Sequence, residues 1–223
     1  MNNQINQIKI VDFEGYVKCK ADCDEFSVTC NSFSHTFRKG ITLLSGDIDS
    51  GSWGISYALP MLPKIPISSR DFVIWSETKV FIDEKQVSMK DINQISCYMD
   101  LVYPGFNKKL STRKAVESSL KKHNSELSAE DIRNLFEIDK DRYNEVPLRG
   151  VGNTKFRCMA AIGCAMGKNV FCFPWISKRM AEYYGKNLSY AIEVLKKTGK
   201  FVILPSNYDY NGDEMVLLNT KQN

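Results

Sequence analysis

Two glycines near the end of a short apolar run, Gly46 and Gly51, have the spacing of the glycines in G-x-x-x-x-G-K-[S/T]. In that motif the backbone N–H groups of the loop surround a phosphate, and the following helix start adds partial positive charge. Its last two positions supply a lysine for the phosphates and a hydroxyl for magnesium, but here they are Ser52 and Trp53. The sequence therefore predicts the architecture of a phosphate loop without its cation and its metal ligand.

The loop between the glycines is acidic, because it contains Asp47 and Asp49. Its amides could still hold a phosphate, or the glycines could serve only a tight turn, and the acidic charge favours the turn. If a nucleotide binds, the candidate contacts are Gly46, Asp47, Ser50, Gly51, Ser52 and Trp53. We predict no metal site, because Cys19, Cys23 and Cys30 lack the usual ligand spacing.

Composition is that of an ordinary globular protein, with 223 residues, 43% hydrophobic and 25% charged. A net charge of +4 is too small to indicate nucleic-acid binding. No apolar run reaches the roughly 20 residues that span a bilayer, and the first residues lack the charged and apolar regions of a signal peptide. The seven cysteines, an odd number, are typical of reduced thiols. We therefore expect one cytoplasmic domain over residues 1–223.

The pattern along the chain predicts an antiparallel N-terminal part followed by strands that alternate with helices. Strands are predicted at 8–37 (a hairpin), 41–44, 72–82 paired with 84–87, 92–101, 169–173, 200–204 and 215–218. Helices are predicted at 52–59, 110–120, from 128, 155–166 and 178–198. Wholly apolar strands between helices favour a parallel sheet covered on both faces. The mostly helical stretch from about 104 to 160 forms a separate layer.

This order of parts resembles the ATP-binding subunit of an ABC transporter over nearly the whole chain. The segments that carry the resemblance are F-R-K-G-I-T-L-L-S-G-D-I-D-S-G-S and G-V-G-N-T-K-F-R-C-M-A-A-I-G-C-A-M-G-K-N-V-F-C-F. The resemblance implies an α/β, P-loop NTPase fold of ABC type. That fold has a mixed sheet core wrapped by helices, an N-terminal antiparallel β portion and a helical subdomain insert, here at about 104–160.

Most residues that carry the family's chemistry are replaced at the matching positions. Besides Ser52 and Trp53, Asp100 stands where the family has a glutamine, and Val151, Gly152 and Asn153 stand where it has the signature Ser-Gly-Gly. Pro174 and Trp175 replace Asp-Glu at the end of a core strand. Ala181 replaces an aspartate, and Asn207 replaces the switch histidine. The basic residue of the signature helix is kept as Arg157. Magnesium thereby loses its protein ligands, and no side chain positions the attacking water. Trp53 and Trp175 should lie near each other, either to stack on a base or, preferably, to fill the vacated space.

The resemblance implies a non-hydrolysing partner subunit without a cofactor of its own, to which ATP and magnesium bind weakly or only through a partner. Its partners would be a second ABC ATPase subunit and a transmembrane permease, which would place it on the inner face of the membrane. Residues 100–109 match the groove where the family contacts the permease, and Tyr103, Pro104 and Phe106 would supply an apolar contact there. Two alternatives remain: an ATPase with a rearranged site, and a stand-alone regulatory or immunity protein that reuses the fold.

Overall fold

The computed structural model describes residues 5–21, 24–47, 50–60, 70–74, 78–123, 126–208 and 210–218. The strands are β1 (Gln7–Ala21), β2 (Asp24–Arg38), β3 (Gly40–Ser45), β4 (Arg70–Ile74), β5 (Lys79–Ile82), β6 (Lys85–Val87), β7 (Ser96–Tyr98), β8 (Val170–Cys172), β9 (Phe201–Ser206) and β10 (Glu214–Leu217). The helices are α1 (Ser52–Ala58), α2 (Met89–Ile95), α3 (Thr112–Lys122), α4 (Ala129–Leu135), α5 (Lys140–Asn144), α6 (Lys155–Ala165) and α7 (Lys178–Lys197). The predicted α/β class is confirmed.

The N-terminal part forms a five-stranded antiparallel sheet in which β1 is the central strand. β1 and β2 form the predicted hairpin. The prediction of one strand over 72–82 is wrong: β4 pairs with the second half of β1 and β5 pairs with its first half. β1 is 15 residues long, so two shorter strands fit along it one after the other. The predicted residues 75–77 lie outside the described part of the chain.

The second sheet is parallel throughout, with strand order β10-β3-β9-β8-β7. β3 lies inside it, and the first five of its six residues are buried, as its unbroken apolar sequence predicts. All five strands run in the same direction, so their carboxyl ends share one edge of the sheet. We call this the carboxyl edge, and β3, β7, β8 and β9 end there at Ser45, Tyr98, Cys172 and Ser206.

The segment predicted as one strand at 92–101 instead divides into helix α2 and strand β7. A capping box starts the helix: the Ser88 hydroxyl accepts from the Asp91 N–H, and the Asp91 carboxylate accepts from the Ser88 N–H at 2.9 Å. The Ser96 hydroxyl then donates to the Ile92 carbonyl oxygen at 2.7 Å where the helix ends. Apolar content alone cannot distinguish a short buried strand from a helix, whereas the S-x-x-D pattern at 88–91 did signal the helix start.

Helices α3 to α6 cover most of the predicted helical stretch at 104–160. α3 begins after Ser111 and α4 after Ser128, where a second capping box includes Asp131, and both starts match the sequence prediction. The Tyr143 hydroxyl of α5 donates to the Ala129 carbonyl oxygen at 2.6 Å and thus ties α5 to the start of α4. None of the helices in the described ranges is long and apolar enough to cross a membrane.

Besides its pairing with β3, the edge strand β10 is held to the rest of the fold by a carboxylate just before it. Asp213 accepts a hydrogen bond from the Ile41 N–H at 2.9 Å and forms an ion pair with Lys196 of α7. The Lys196 ammonium and the Ile41 N–H hold the pKa of the Asp213 carboxyl below its usual value. A lowered pKa means that folding favours the ionised carboxylate.

We expect Asp213→Asn to lower the free energy of unfolding by about 1 kcal/mol at neutral pH, since solvent screens this half-exposed pair. The contribution of Asp213 is fully present above the ordinary pKa of an aspartate and is lost as the pH falls through its lower folded pKa. The stability difference should therefore be constant near neutral pH and shrink in acid. Urea unfolding at several pH values measures it, with the exposed Glu126→Gln as control. A difference that grows in acid would contradict this role.

Candidate functional site

The glycine loop lies where the sequence placed it, between the inner parallel strand β3 and the following helix α1. Gly51 caps the helix with φ of 89°, a left-handed conformation that favours glycine. The Gly51 carbonyl oxygen accepts from the Ile55 N–H at 3.1 Å, so the helix starts directly at the loop. Asp49 lies outside the described residues. The order of strand, loop and helix predicted for a phosphate loop is thus present in the described residues.

The hydroxyl groups of the loop bond to each other. The Ser50 hydroxyl donates to the Ser52 oxygen at 3.1 Å and accepts from the Ser52 N–H at 3.4 Å. The Ser50 N–H donates to the Asp47 carbonyl oxygen at 2.9 Å, which closes the turn. Ser52 is fully buried at 0% exposure. The position that carries lysine in the motif therefore lies inside the protein, paired with its neighbour.

Trp53, at the position of the magnesium-binding hydroxyl, connects α1 to the carboxyl edge. Its indole N–H donates to the Tyr98 hydroxyl at 2.9 Å, and its ring centroid lies 5.8 Å from that of Tyr57. The Tyr57 ring in turn meets the Tyr98 ring edge-on at 4.9 Å. Burial raises the pKa of Tyr98 well above its usual value, so it stays a neutral acceptor. Of these three rings only Trp53 was predicted as a site residue. The one sequence signal for Tyr98 is its place at the end of a strand, two residues before Asp100.

Residues after β8 and β9 contact the loop from its other side. The Trp175 indole N–H donates to the Gly46 carbonyl oxygen at 3.2 Å, and the Asn207 amide donates to the Asp47 carboxylate at 3.2 Å. The Gly46 N–H donates to the Ser206 carbonyl oxygen at 3.1 Å. The structure therefore brings Trp175 and Asn207 to the loop, as expected from the shared edge of a parallel sheet. Pro174, which directly precedes Trp175, is buried.

Asp100, two residues after β7, forms a partly buried ion pair. Its carboxylate lies 3.1 Å from the Lys155 ammonium, and their side chains are 29% and 15% exposed. Lys155 is the first residue of α6, so the pair joins the carboxyl edge to the helix that follows the signature-like loop. Lys155 was not predicted as a site residue, and its one sequence signal is its place at the start of the helix predicted at 155–166.

The signature-like loop is held by its own surroundings. The buried Val151 accepts at its carbonyl oxygen from the Arg142 guanidinium at 3.2 Å and from the Thr154 hydroxyl at 2.7 Å. Gly152, with φ of 59°, and Asn153 are exposed. The partners of the Val151 carbonyl oxygen thus come from α5 and from the loop itself.

The retained basic residue Arg157 also has partners inside the chain. Its guanidinium lies 4.1 Å from the centre of the Tyr190 ring, and it donates to the Glu137 carbonyl oxygen at 3.1 Å. Ala181 lies in the first turns of α7, where its N–H donates to the Ser177 carbonyl oxygen at 2.9 Å. Both positions therefore act in helix packing here.

The apolar contact predicted from Tyr103, Pro104 and Phe106 is largely internal. Tyr103 and Phe106 are 7% and 3% exposed, and their rings meet edge-on at 5.1 Å. The Tyr103 hydroxyl donates to the Ser96 carbonyl oxygen at 3.1 Å. Only Pro104 of the three is exposed, so the two rings are not surface groups. The two aromatic residues of this turn point into the core, whereas Pro104 faces solvent.

The loop between β3 and α1, the parallel sheet, the antiparallel sheet and the helical layer together define the fold of the ABC-type ATPases. Solved structures share it. A putative ABC transporter ATP-binding protein from Pyrococcus furiosus matches with a TM-score of 0.61 at 12% identity, over 95% of this chain and 97% of that one. The ATP-binding cassette MJ0796, solved as a dimer in a post-hydrolysis state with ADP and Pi, matches with a TM-score of 0.63 at 13% identity, over 95% and 94%.

A third solved structure, cbiO1 from Clostridium perfringens, is part of the ABC transporter complex cbiONQ. It matches with a TM-score of 0.57 at 12% identity, over 96% of this chain and 85% of that one. No protein-family profile matches the sequence, and no curated protein is significantly similar to it. At these identities the similarity shows the fold, and any activity must be argued from this chain's own side chains.

Proposed function

We propose that this chain is a non-hydrolysing subunit of an ABC-type transporter complex, located in the cytoplasm at the inner face of the membrane. In this role it pairs with a second ATPase subunit and contacts a transmembrane permease. The observation that carries the proposal is the loop after β3, which lies between strand and helix as a phosphate loop does, while its side chains are engaged within the chain. The fold supports the assignment to ABC-type ATPase subunits, and the side chains of the loop support the proposal that this chain does not hydrolyse ATP.

The loop's side chains do not fit a magnesium triphosphate. Ser52 carries no charge and is buried, so nothing at this position offsets the phosphate charge as lysine does. Trp53 offers an indole N–H, already donated to Tyr98, in place of a hydroxyl oxygen that could bind magnesium. The Asp47 carboxylate would add repulsion toward an incoming phosphate. Each of these features disfavours ATP.

The residues that would activate water are also of the wrong chemistry. Pro174 has no side-chain acceptor for a proton, and the Trp175 indole N–H can only donate. The Asn207 amide has no titratable proton near neutral pH and is bonded to Asp47. General-base catalysis of hydrolysis therefore has no group to carry it at these positions. This supports a subunit whose contribution is binding and assembly.

Assembly with partners is supported by the relatives in fold. One of them is a dimeric cassette and another is part of a transporter complex. In a heterodimer the exposed Gly152 and Asn153 would face the nucleotide of an intact partner subunit. The region around the exposed Pro104 remains the proposed contact with the permease, but without the rings of Tyr103 and Phe106.

Titration of the isolated chain with ATP and magnesium by calorimetry tests the loss of nucleotide chemistry, together with a phosphate-release assay. We expect no saturable heat and no turnover above the buffer rate. An intact ABC-type ATPase measured in parallel shows that the assay detects turnover. Turnover proportional to the concentration of this chain would overturn the proposal and favour an ATPase with a rearranged site.

The partner role needs a separate test. The chain is purified from its native cells after mild crosslinking, and the bound proteins are identified by mass spectrometry. We expect an ATPase subunit with an intact lysine motif together with a polytopic membrane protein. A chain that sediments as a monomer and carries neither of them would favour the stand-alone regulatory protein instead.

A further inference from the structure

A cavity lies at the opposite end of β3 from the glycine loop. It has a volume of about 350 Å³, which is within the range of small-ligand sites. Its lining comes from the end of β2, the start of β3 and the start of β10, and consists of Arg38, Lys39, Ile41, Thr42, Asp213 and Glu214. The residues of the ABC-type motifs contribute nothing to it. The cavity is therefore a separate candidate site.

One wall of this cavity is cationic. Arg38 is exposed and forms no ion pair within the described part of the chain. The Lys39 ammonium has one hydrogen-bond partner there, the Asn6 amide oxygen at 3.5 Å, which is a long contact. No carboxylate of the described residues balances the charges of Arg38 and Lys39, so these two adjacent side chains can bind an anionic group. A guanidinium, in particular, binds a carboxylate through two parallel hydrogen bonds.

The other charged residues of the lining, Asp213 and Glu214, are anionic, and their two carboxylates differ. Asp213 is already used by Lys196 and the Ile41 N–H. Glu214 is 37% exposed, and its carboxylate lies 3.4 Å from the His35 imidazole without a hydrogen bond from that ring nitrogen. Glu214 therefore retains capacity for a cationic partner. The remaining lining residues, Ile41 and Thr42, are 1% and 3% exposed and belong to the inner strand β3.

We propose that this cavity binds a small zwitterion, with its carboxylate on Arg38 and Lys39 and its ammonium group on Glu214. A simple anion would meet repulsion from Glu214, and a simple amine would meet repulsion from the two cations. A molecule with both charges at opposite ends satisfies both walls at once. Free amino acids and short peptides are the simplest molecules with this property. A dipeptide is a suitable probe for this class.

Titration of the chain with alanyl-alanine by calorimetry or NMR tests this site. The N-acetylated dipeptide lacks the ammonium charge, and the dipeptide amide lacks the carboxylate. We expect saturable binding of the free dipeptide and about tenfold weaker binding of each blocked form, because each loses one charged hydrogen-bonded pair. Equal binding of all three forms, or no binding of any, would overturn the proposal.

Variants of the two walls test it from the protein side. Arg38→Gln and Glu214→Gln should each weaken alanyl-alanine binding by about tenfold, because each removes one charged partner. Lys108→Gln, an exposed charge outside the cavity lining, is the matched control and should leave binding unchanged. Thermal unfolding of each variant confirms that it is folded. Binding that survives both wall substitutions would contradict the assignment.

Discussion

Replacing Trp53 with alanine should lower the free energy of unfolding by about 3 kcal/mol, the lower end for removing a large aromatic side chain, since the indole is only half-buried. The truncation removes the hydrogen bond to Tyr98 and the edge-on contact with Tyr57. It also leaves a cavity between α1 and the carboxyl edge. Chemical denaturation followed by far-UV circular dichroism measures the loss.

The matched variant Trp53→Phe separates the ring contact from the hydrogen bond. It keeps an aromatic ring against Tyr57 but cannot donate to Tyr98, so we expect a loss of about 1 kcal/mol from the buried, unsatisfied hydroxyl. If Trp53→Ala and Trp53→Phe were equally mild, the indole would not be a structural part of this site. The interpretation that it fills the space of a lost ligand would then fail.

Gly46→Ala should lower the free energy of unfolding by about 2–3 kcal/mol through overpacking. A Cβ atom at this position would lie 2.7 Å from the Leu218 carbonyl oxygen and 2.6 Å from the Ser50 Cβ. The carbonyl belongs to the backbone just after β10, so the strand end or the loop must shift. Denaturant unfolding gives the magnitude, and the amide NMR shifts of residues 50–53 report whether the loop moved.

Gly54→Ala is the control within the same segment, because it adds the same methyl group one turn into α1. A Cβ atom there has no neighbour within 4 Å, and Gly54 does not have a positive φ. Alanine also has the higher helix propensity, so we expect a gain of about 0.5–1 kcal/mol. If both substitutions destabilised the protein alike, glycine at position 46 would not be required by close packing.

Local signals predicted much of the fold. The apolar run of β3, the helix starts at Ser111 and Ser128, and the end of α7 before Gly199 follow from patterns of a few residues. The failures had local causes of the same kind. A capping box at Ser88 and Asp91, just before the apolar segment 92–101, starts α2, and the length of β1 allowed two strands to pair along it.

The site was less predictable than the fold. Spacing placed Gly46 and Gly51 in the loop, and the resemblance to the ABC ATP-binding subunits implied that Trp175 and Asn207 lie at the same edge. It did not reveal Tyr98 or Lys155 as partners of Trp53 and Asp100. A hydrogen bond or ion pair between side chains distant in sequence leaves no periodic pattern, and a single sequence contains no other record of it.

The sequence by itself determined the order of strands and helices outside 72–101, the position of the glycine loop and the absence of a lysine at position 52. These properties depend on residue type and on spacing within one segment. Only the tertiary structure decided which side chains close the loop, because the donors and acceptors are 45, 129 and 160 residues apart. Parallel strands bring such distant residues together at one edge, and their pairing depends on how the strands are ordered in the sheet.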